Sequence, residues 1–305
     1  MRIGYACINL SLADQKVQVN RSMMKRTFLE KGIAYASTLA LANFKDLEKV
    51  IDWNIANKVG LYRMSSEMVP WMSEYEIADL PDFPAIARTL GRIGKKVKEH
   101  DLRLTFHPGP FNILASNNER VIANTIKELR QHGEIMDMLG LPRTPFAKIN
   151  IHVGAAYGDK RSALERFAGN YADLPPTARD RLTIENDDKL NMFSVRDLLW
   201  LHDRTGIPIV FDHFHHTFCT GGLSEEEALK SALGTWPERI VPIVHYSSSR
   251  KLHEDATAGA TSHADHIHGP IELYGQHVDV MLEAKAKDLA VIAFRKMNDP
   301  LKSMA

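Results

Sequence analysis

The sequence predicts an α/β protein folded as a (β/α)8 TIM barrel. Eight short strand-like runs alternate with helical ones along almost all of the 305 residues, and that many β-then-α units favour a closed parallel barrel over an open sheet. No strand is followed by the GxGxxG or GxxxxGK(S/T) loop that open-sheet nucleotide binders carry. Ionisable side chains also gather at the carboxyl ends of the strands, where barrels of this kind build their sites.

The expected strands are 2–8 (RIGYACI), 60–66 (GLYRMSS), 102–107 (LRLTFH), 148–154 (KINIHVG), 181–186 (RLTIEN), 208–214 (PIVFDHF), 239–246 (RIVPIVHY) and 278–284 (VDVMLEA). Most are nearly continuous apolar runs, as in strands covered on both faces. Helices are expected between them from apolar spacings of three and four. Leu47, Val50, Ile51 and Ile55 form one stripe, and Phe83, Ile86, Leu90, Ile93 and Val97 form another. Ser116 with Glu119 opens the helix of Ile122, Ile126 and Leu129 as a capping box, and Ser224 with Glu227 opens that of Ala228, Leu229 and Leu233. A closing helix turns Leu289, Ile292 and Ala293 inward. No linker or repeat divides the chain, so one domain over 1–305 is expected, with a long functional loop at 247–277 and a flexible tail at 298–305.

The apolar share of 44% and charged share of 25% are those of an ordinary globular protein. No membrane-length apolar run or secretion signal is present. With two cysteines, Cys7 and Cys219, no disulfide framework can be read, and a cytoplasmic location is expected. Lys plus Arg balance Asp plus Glu at 38 each, so binding to a polyanion would need a local basic face or bound cations.

Read in order, the strand ends supply Asn9, Ser65–Ser66, His107, His152, Glu185, Asp212 with His215, His245 and Glu283, and the long loop supplies His263. Five histidines and three carboxylates at one mouth call for cations. Their mixed nitrogen and oxygen character suits Mn²⁺, Zn²⁺ or Fe²⁺ better than an all-oxygen cage. Eight donors exceed the needs of one ion, so two or three are expected, with Glu185 a candidate bridge. Such clusters are suited to phosphodiester hydrolysis. Taken singly, each residue has a plainer reading. His107 before Pro108 reads as a turn residue and Glu185 as a helix cap, His213 and His216 as outer-sphere or surface groups, and His202 and His253 as solvated. The ensemble carries the expectation.

The succession GYACINL, RMSS, TFHPGPF, IHVGAAYGDK, TIEND, FDHFHH, VHYSSS and SHADHI resembles the UV damage endonucleases, in order, from residue 2 to about 297. Those enzymes are similar to endonuclease IV and to xylose isomerase-like barrels. The resemblance implies incision immediately 5′ to UV photoproducts, and also at abasic sites, in damaged double-stranded DNA, by a monomer using two or three divalent ions, with Mn²⁺ expected. It implies His107, His152, Glu185, Asp212, His215, His245, His263 and Glu283 as metal ligands, with His266 and His268 as rivals of His263. Glu185, His245 and Lys160 are expected in catalysis. Tyr5, Asn9, Pro110 and Phe111 are expected to probe the lesion, with Pro110–Phe111 standing where some members carry Gln–Tyr. Arg63, Lys160 and Arg250 are expected to contact phosphates. Two positions depart from the pattern: Trp71 or a neighbour stands where many relatives place a histidine, and Ile243 where many place a lysine. The alternatives are an abasic-site endonuclease without preference for UV lesions, a sugar isomerase and a non-catalytic metal- or DNA-binding barrel.

Overall fold

The computed structural model describes residues 1–298. Its strands are β1 (Ile3–Ala6), β2 (Leu61–Met64), β3 (Arg103–Phe106), β4 (Ile149–His152), β5 (Leu182–Glu185), β6 (Ile209–Val210), β7 (Ile243–Tyr246) and β8 (Asp279–Leu282). All pair in parallel, in the order β6-β5-β4-β3-β2-β1-β8-β7. Between β6 and β7 the circuit closes through one isolated parallel bridge, Asp212 to His245, with His245 N donating to Phe211 O at 2.9 Å. This is the TIM barrel the alternation predicts.

The helices are α1 (Lys25–Ala56, kinked at Gly32), α2 (Phe83–Glu99), α3 (Glu119–Met138), α4 (Lys160–Ala172), α5 (Pro176–Arg179), α6 (Val195–Thr205), α7 (His213–His216), α8 (Glu225–Leu233), α9 (Arg250–His253) and α10 (Lys287–Met297). The capping box at Ser224 forms: Ser224 N donates to Glu227 Oε2 at 2.9 Å and Glu227 N to Ser224 Oγ at 3.3 Å. The one expected at Ser116 does not. Asn118, next to the first helical residue, caps α3 by accepting from Arg120 N and Val121 N, while Ser116 Oγ accepts from Asn118 N. In α10 the buried side is Ala290, Val291 and Phe294, and Leu289 is exposed. That segment is apolar nearly all round, so spacing alone does not select its inner face.

All eight strands are shorter than expected, β6 and β7 most of all, each of these two for a local reason. In β6, Asp212 Oδ1 accepts from His215 N at 2.8 Å and starts α7 at once. Before β7, Pro242 lacks the N–H a ladder needs. The 247–277 segment is mostly irregular, but α9 and an antiparallel bridge from Ser249 to His263 give it a defined path. Of the expected tail at 298–305, all but Asn298 lies outside the described residues.

Most apolar side chains pack between strands and helices, while a smaller cluster of Ala6, Leu61, Val210, Trp236, Ile243 and Met281 lies apart from that layer. Arg103, fully buried, makes an ion pair with Asp279 at 2.9 Å and also donates to the carbonyls of Phe146, Val241 and Pro145. Arg2 N donates to the other Asp279 oxygen, Oδ1, at 2.7 Å. This end of the barrel is therefore fixed by charge. Asp279→Asn should destabilise the fold by about 3–5 kcal/mol, because Arg103 would keep a buried charge without its partner. Replacing Arg103 as well with an apolar residue should recover only part of that loss in a denaturant melt, because the carbonyls it serves and Arg2 N would lose their partners.

Candidate metal centre

Side chains alternate across a strand, so the residues that turn into the barrel come in steps of two. On β3 and just past it they are Arg103, Thr105 and His107; from the residue before β4 onward, Lys148, Asn150 and His152; on β5, Thr183 and Glu185. The final step of each row brings His107, His152 and Glu185 to the mouth. Asp212, His245 and Glu283 arrive there from the ends of β6, β7 and β8.

Donor atoms of His107, His152 and Glu185 lie within 4.8 Å of one another, and so do those of Glu185, Asp212, His245 and Glu283. Glu185 belongs to both groups and is fully buried. His107 Nε2 is 3.1 Å from Glu185 Oε2, and His245 Nδ1 is 3.1 Å from both Glu185 Oε2 and Glu283 Oε1. His215 Nδ1 stands 3.4 Å from Glu185 Oε1. The imidazoles form an arc, with ring centroids 5.4 Å apart for His107–His152, 5.6 Å for His152–His215 and 6.4 Å for His215–His263. Three of these rings have Nδ1 against a main-chain carbonyl: His107 on Pro108, His215 on Asn186 and His263 on Glu283. An Nδ1–H bonded to a carbonyl leaves Nε2 free to coordinate, as in many metal sites.

The buried atoms left without a hydrogen-bond partner include His152 Nδ1, Glu185 Oε1, Asp212 Oδ2 and His245 Nδ1. Orphaned buried groups are costly, and these four belong to the two groups of converging donors. Divalent cations fit there, and the mixed donor set excludes none of Mn²⁺, Zn²⁺ and Fe²⁺.

The electrostatics point the same way. Burial would raise the Glu185 carboxyl, but the imidazoles of His245, His152 and His107 hold it well below the usual range. Glu283 is also held low: burial opposes its charge, and Arg63 and His245 outweigh it. Burial disfavours charge on His152, yet Glu185 and Asp187 raise it to about 9. Asp212 and Glu185 overcome burial in the same way to raise His215 to about 10. His107 moves the other way, lowered by burial to about 4. The carboxylates thus hold positive charge on their neighbours, the compensation that cations among the same atoms would supply.

Several expected residues lie elsewhere. Tyr5 is fully buried, donating to Asn54 Oδ1 at 2.9 Å and accepting from Asn9 Nδ2 at 2.7 Å, and Asn9 is itself buried. Both side chains thus lie in the core, with the phenol bridging the two amides. Arg63 is drawn into an ion pair with Glu283 and is largely buried, so a carboxylate holds the guanidinium expected on phosphate. Lys160 opens α4 and pairs with Asp197 at 3.0 Å, and Arg250 faces Asp265 at 3.4 Å. Trp71 donates its indole N–H to Met23 O and stacks on Phe28, which leaves it no coordinating role. Ile243 is buried among apolar side chains. Pro110 and Phe111 are exposed, Phe111 at 86%. Of the three loop histidines, His263 sits beside Glu283, whereas Glu254 engages His268 Nε2 and the His266 N–H. His213 and His216 are buried, and His213 pairs with Glu225 at 2.9 Å. His253 stacks on His268, and His202 bonds the Ile207 carbonyl.

Sequence reasoning missed the groups beneath and beside these donors. Thr183 Oγ1 donates to Asn150 Oδ1 at 2.7 Å, and Asn150 Nδ2 donates to Glu185 Oε2. Asn186 Nδ2 donates to Asp212 O, and Asp212 N donates to Asn186 Oδ1. Lys148 reaches His245, with burial lowering its ammonium to about 7. The polar residues at every second place in KINIH were the available signal.

An eight-stranded barrel with histidines and carboxylates converging at the carboxyl ends of its strands defines a TIM-barrel protein with a candidate metal centre. The model of the family described as UV-endonuclease UvdE matches residues 1–305. The UV DNA damage endonuclease of Bacillus cereus (strain Q1) is 35% identical over 310 residues, covering 96% of this chain and 93% of its own. That of Bacillus thuringiensis subsp. konkukian (strain 97-27) is 34% identical over 263 residues, covering 83% and 79%. The crystal structure of SacUVDE superimposes with a TM-score of 0.82 at 31% identity, covering 98% of this chain and 99% of that one. A D-psicose 3-epimerase from Clostridium cellulolyticum H10 shares the fold alone, at TM-score 0.52 and 12% identity over 78% of this chain and 79% of its own. The chain belongs to the UV-endonuclease UvdE family. Its class of activity is that of a DNA-repair endonuclease for UV lesions.

In chelator-treated protein, His152 and His215 should keep their protons above neutral pH and titrate near 9 and 10, while His107 stays neutral down to about 4. Imidazole NMR against pH would read this. His107, His152 and His215 all titrating near 6.5 would contradict the electrostatics above.

Proposed function

We propose that the protein incises the phosphodiester bond immediately 5′ to UV photoproducts by metal-assisted hydrolysis, with Mn²⁺ as the working ion. The observation that carries this reading is Glu185, a buried carboxylate common to two groups of converging donors. His107 and His152 would complete one ion position with it, and Asp212, His245 and Glu283 the other. His215 and His263 stand at the rim, and the free Nε2 atoms left by their carbonyl contacts suit a third position. When bound, such ions lower the pKa of an attacking water and neutralise the phosphoryl and leaving oxygens.

The rest falls to the chain. Arg63 fixes the Glu283 carboxylate, Asn150 fixes that of Glu185, and Asp212 is held through both main-chain atoms by Asn186. Phe111, exposed on the loop after β3, is suited to fill the space left by displaced bases. One chain carries every donor, so a monomer suffices. No helix among the described residues is long and apolar enough to cross a membrane.

The test is nicking of irradiated, abasic and undamaged plasmid with Mn²⁺, with and without chelator. Irradiated plasmid should be nicked, and chelator should abolish the nicking. Glu185→Gln and His215→Ala should remain folded yet lose more than the roughly 10- to 100-fold typical of residues one step outside a metal site. Wild-type rates in both variants would remove the proposed donor set, and nicking confined to abasic plasmid would favour an abasic-site enzyme. Phe111→Ala should leave the melting temperature almost unchanged, since an exposed side chain contributes little to stability. It should weaken binding to irradiated duplex by about 5- to 150-fold, the loss of one base–aromatic stack.

A further inference from the structure

Lys148 precedes β4, two places before Asn150, and its side chain runs into the barrel beneath the mouth. It is fully buried. No carboxylate of the described residues lies within ion-pair distance of its ammonium, and its side-chain contact is Nε2 of His245, at 3.1 Å. The other nitrogen of that ring, Nδ1, faces Glu185 and Glu283 at 3.1 Å each and has no hydrogen-bond partner of its own.

A buried amine is an expensive choice for a barrel interior. It gives up hydration and rotamer freedom, and a methionine of similar length would fill the same space with no polar group to satisfy. On β7 the residue two places before His245 is indeed apolar, Ile243. Packing therefore does not account for Lys148. The remaining freedom of an imidazole on a fixed backbone is a half-turn about its Cβ–Cγ bond, which exchanges each nitrogen for a carbon. For His245 that turn would present Cδ2 to the carboxylates and Cε1 to the amine, so the bond to Lys148 opposes it.

We propose that Lys148 is a positioning residue: from below, it ties Nε2 of His245 so that Nδ1 stays aimed between Glu185 and Glu283. This rests on the reading of the centre as a metal site. Lys148 touches neither substrate nor ion and acts through the ring it orients. Residues that orient a coordinating histidine typically change metal affinity by 10- to 100-fold.

The test compares the full-length wild type, Lys148→Met and Lys148→Gln by Mn²⁺ titration, by thermal melting without Mn²⁺ and by nicking kinetics on irradiated DNA. The methionine variant should melt no lower than wild type yet bind Mn²⁺ 10- to 100-fold more weakly, with kcat reduced and KM for DNA unchanged. The glutamine variant, which keeps a polar head, should fall between the two and serves as the reading if the methionine variant does not fold. A methionine variant that binds Mn²⁺ as tightly as a binding wild type overturns the role of Lys148 alone. So does a drop in melting temperature that accounts for the weaker binding. A wild type that takes up no Mn²⁺ overturns the metal reading itself, and this inference with it.

Discussion

Glu185 is a carboxylate with no access to water, placed where six strands deliver polar side chains. A buried negative charge survives only if its surroundings answer it. Here imidazoles answer from the sides and Asn150 from below, and both groups of candidate donors share the residue. Much of the barrel's interior chemistry follows from this demand. Thr183 orients Asn150, Lys148 reaches His245, and Arg63 gives up its position at the mouth to hold Glu283.

The seam between β6 and β7 belongs to the same constraint. The sheet does not form a full ladder there, and the single bridge joins Asp212 to His245, both candidate donors. Cutting β6 short lets Asp212 cap α7, which places His215 one helical turn away and facing Glu185. A longer, more regular β6 would have tied the strands more firmly but would have put His215, three places on, on the opposite face from Asp212. Local irregularity is what brings the FDHFHH segment into the centre.

The opposite end of the barrel carries the stability that the mouth does not. Arg103 and Asp279 are buried together with main-chain carbonyls around them. The mouth, by contrast, keeps unsatisfied atoms on His152, Glu185, Asp212 and His245. Charge is paired within the protein at both ends, but the mouth alone combines those pairs with two groups of converging donor atoms.

The sequence by itself determined the barrel, because buried parallel strands leave apolar runs at a spacing that few other folds share. It also determined which residues stand at the strand ends, since position along a strand is local information. What only the tertiary structure decided is which way each side chain is answered. Tyr5 and Asn9 sit beside the mouth in sequence, yet their mutual hydrogen bonds turn them into the core. Arg63 stands at a strand end suited to phosphate, yet Glu283, 220 residues away, engages it. That His263, and neither His266 nor His268, lies beside Glu283 follows from the path of a loop pinned by Ser249 and Glu254. Pairing of charges depends on distances through space, and no local pattern in the chain encodes those.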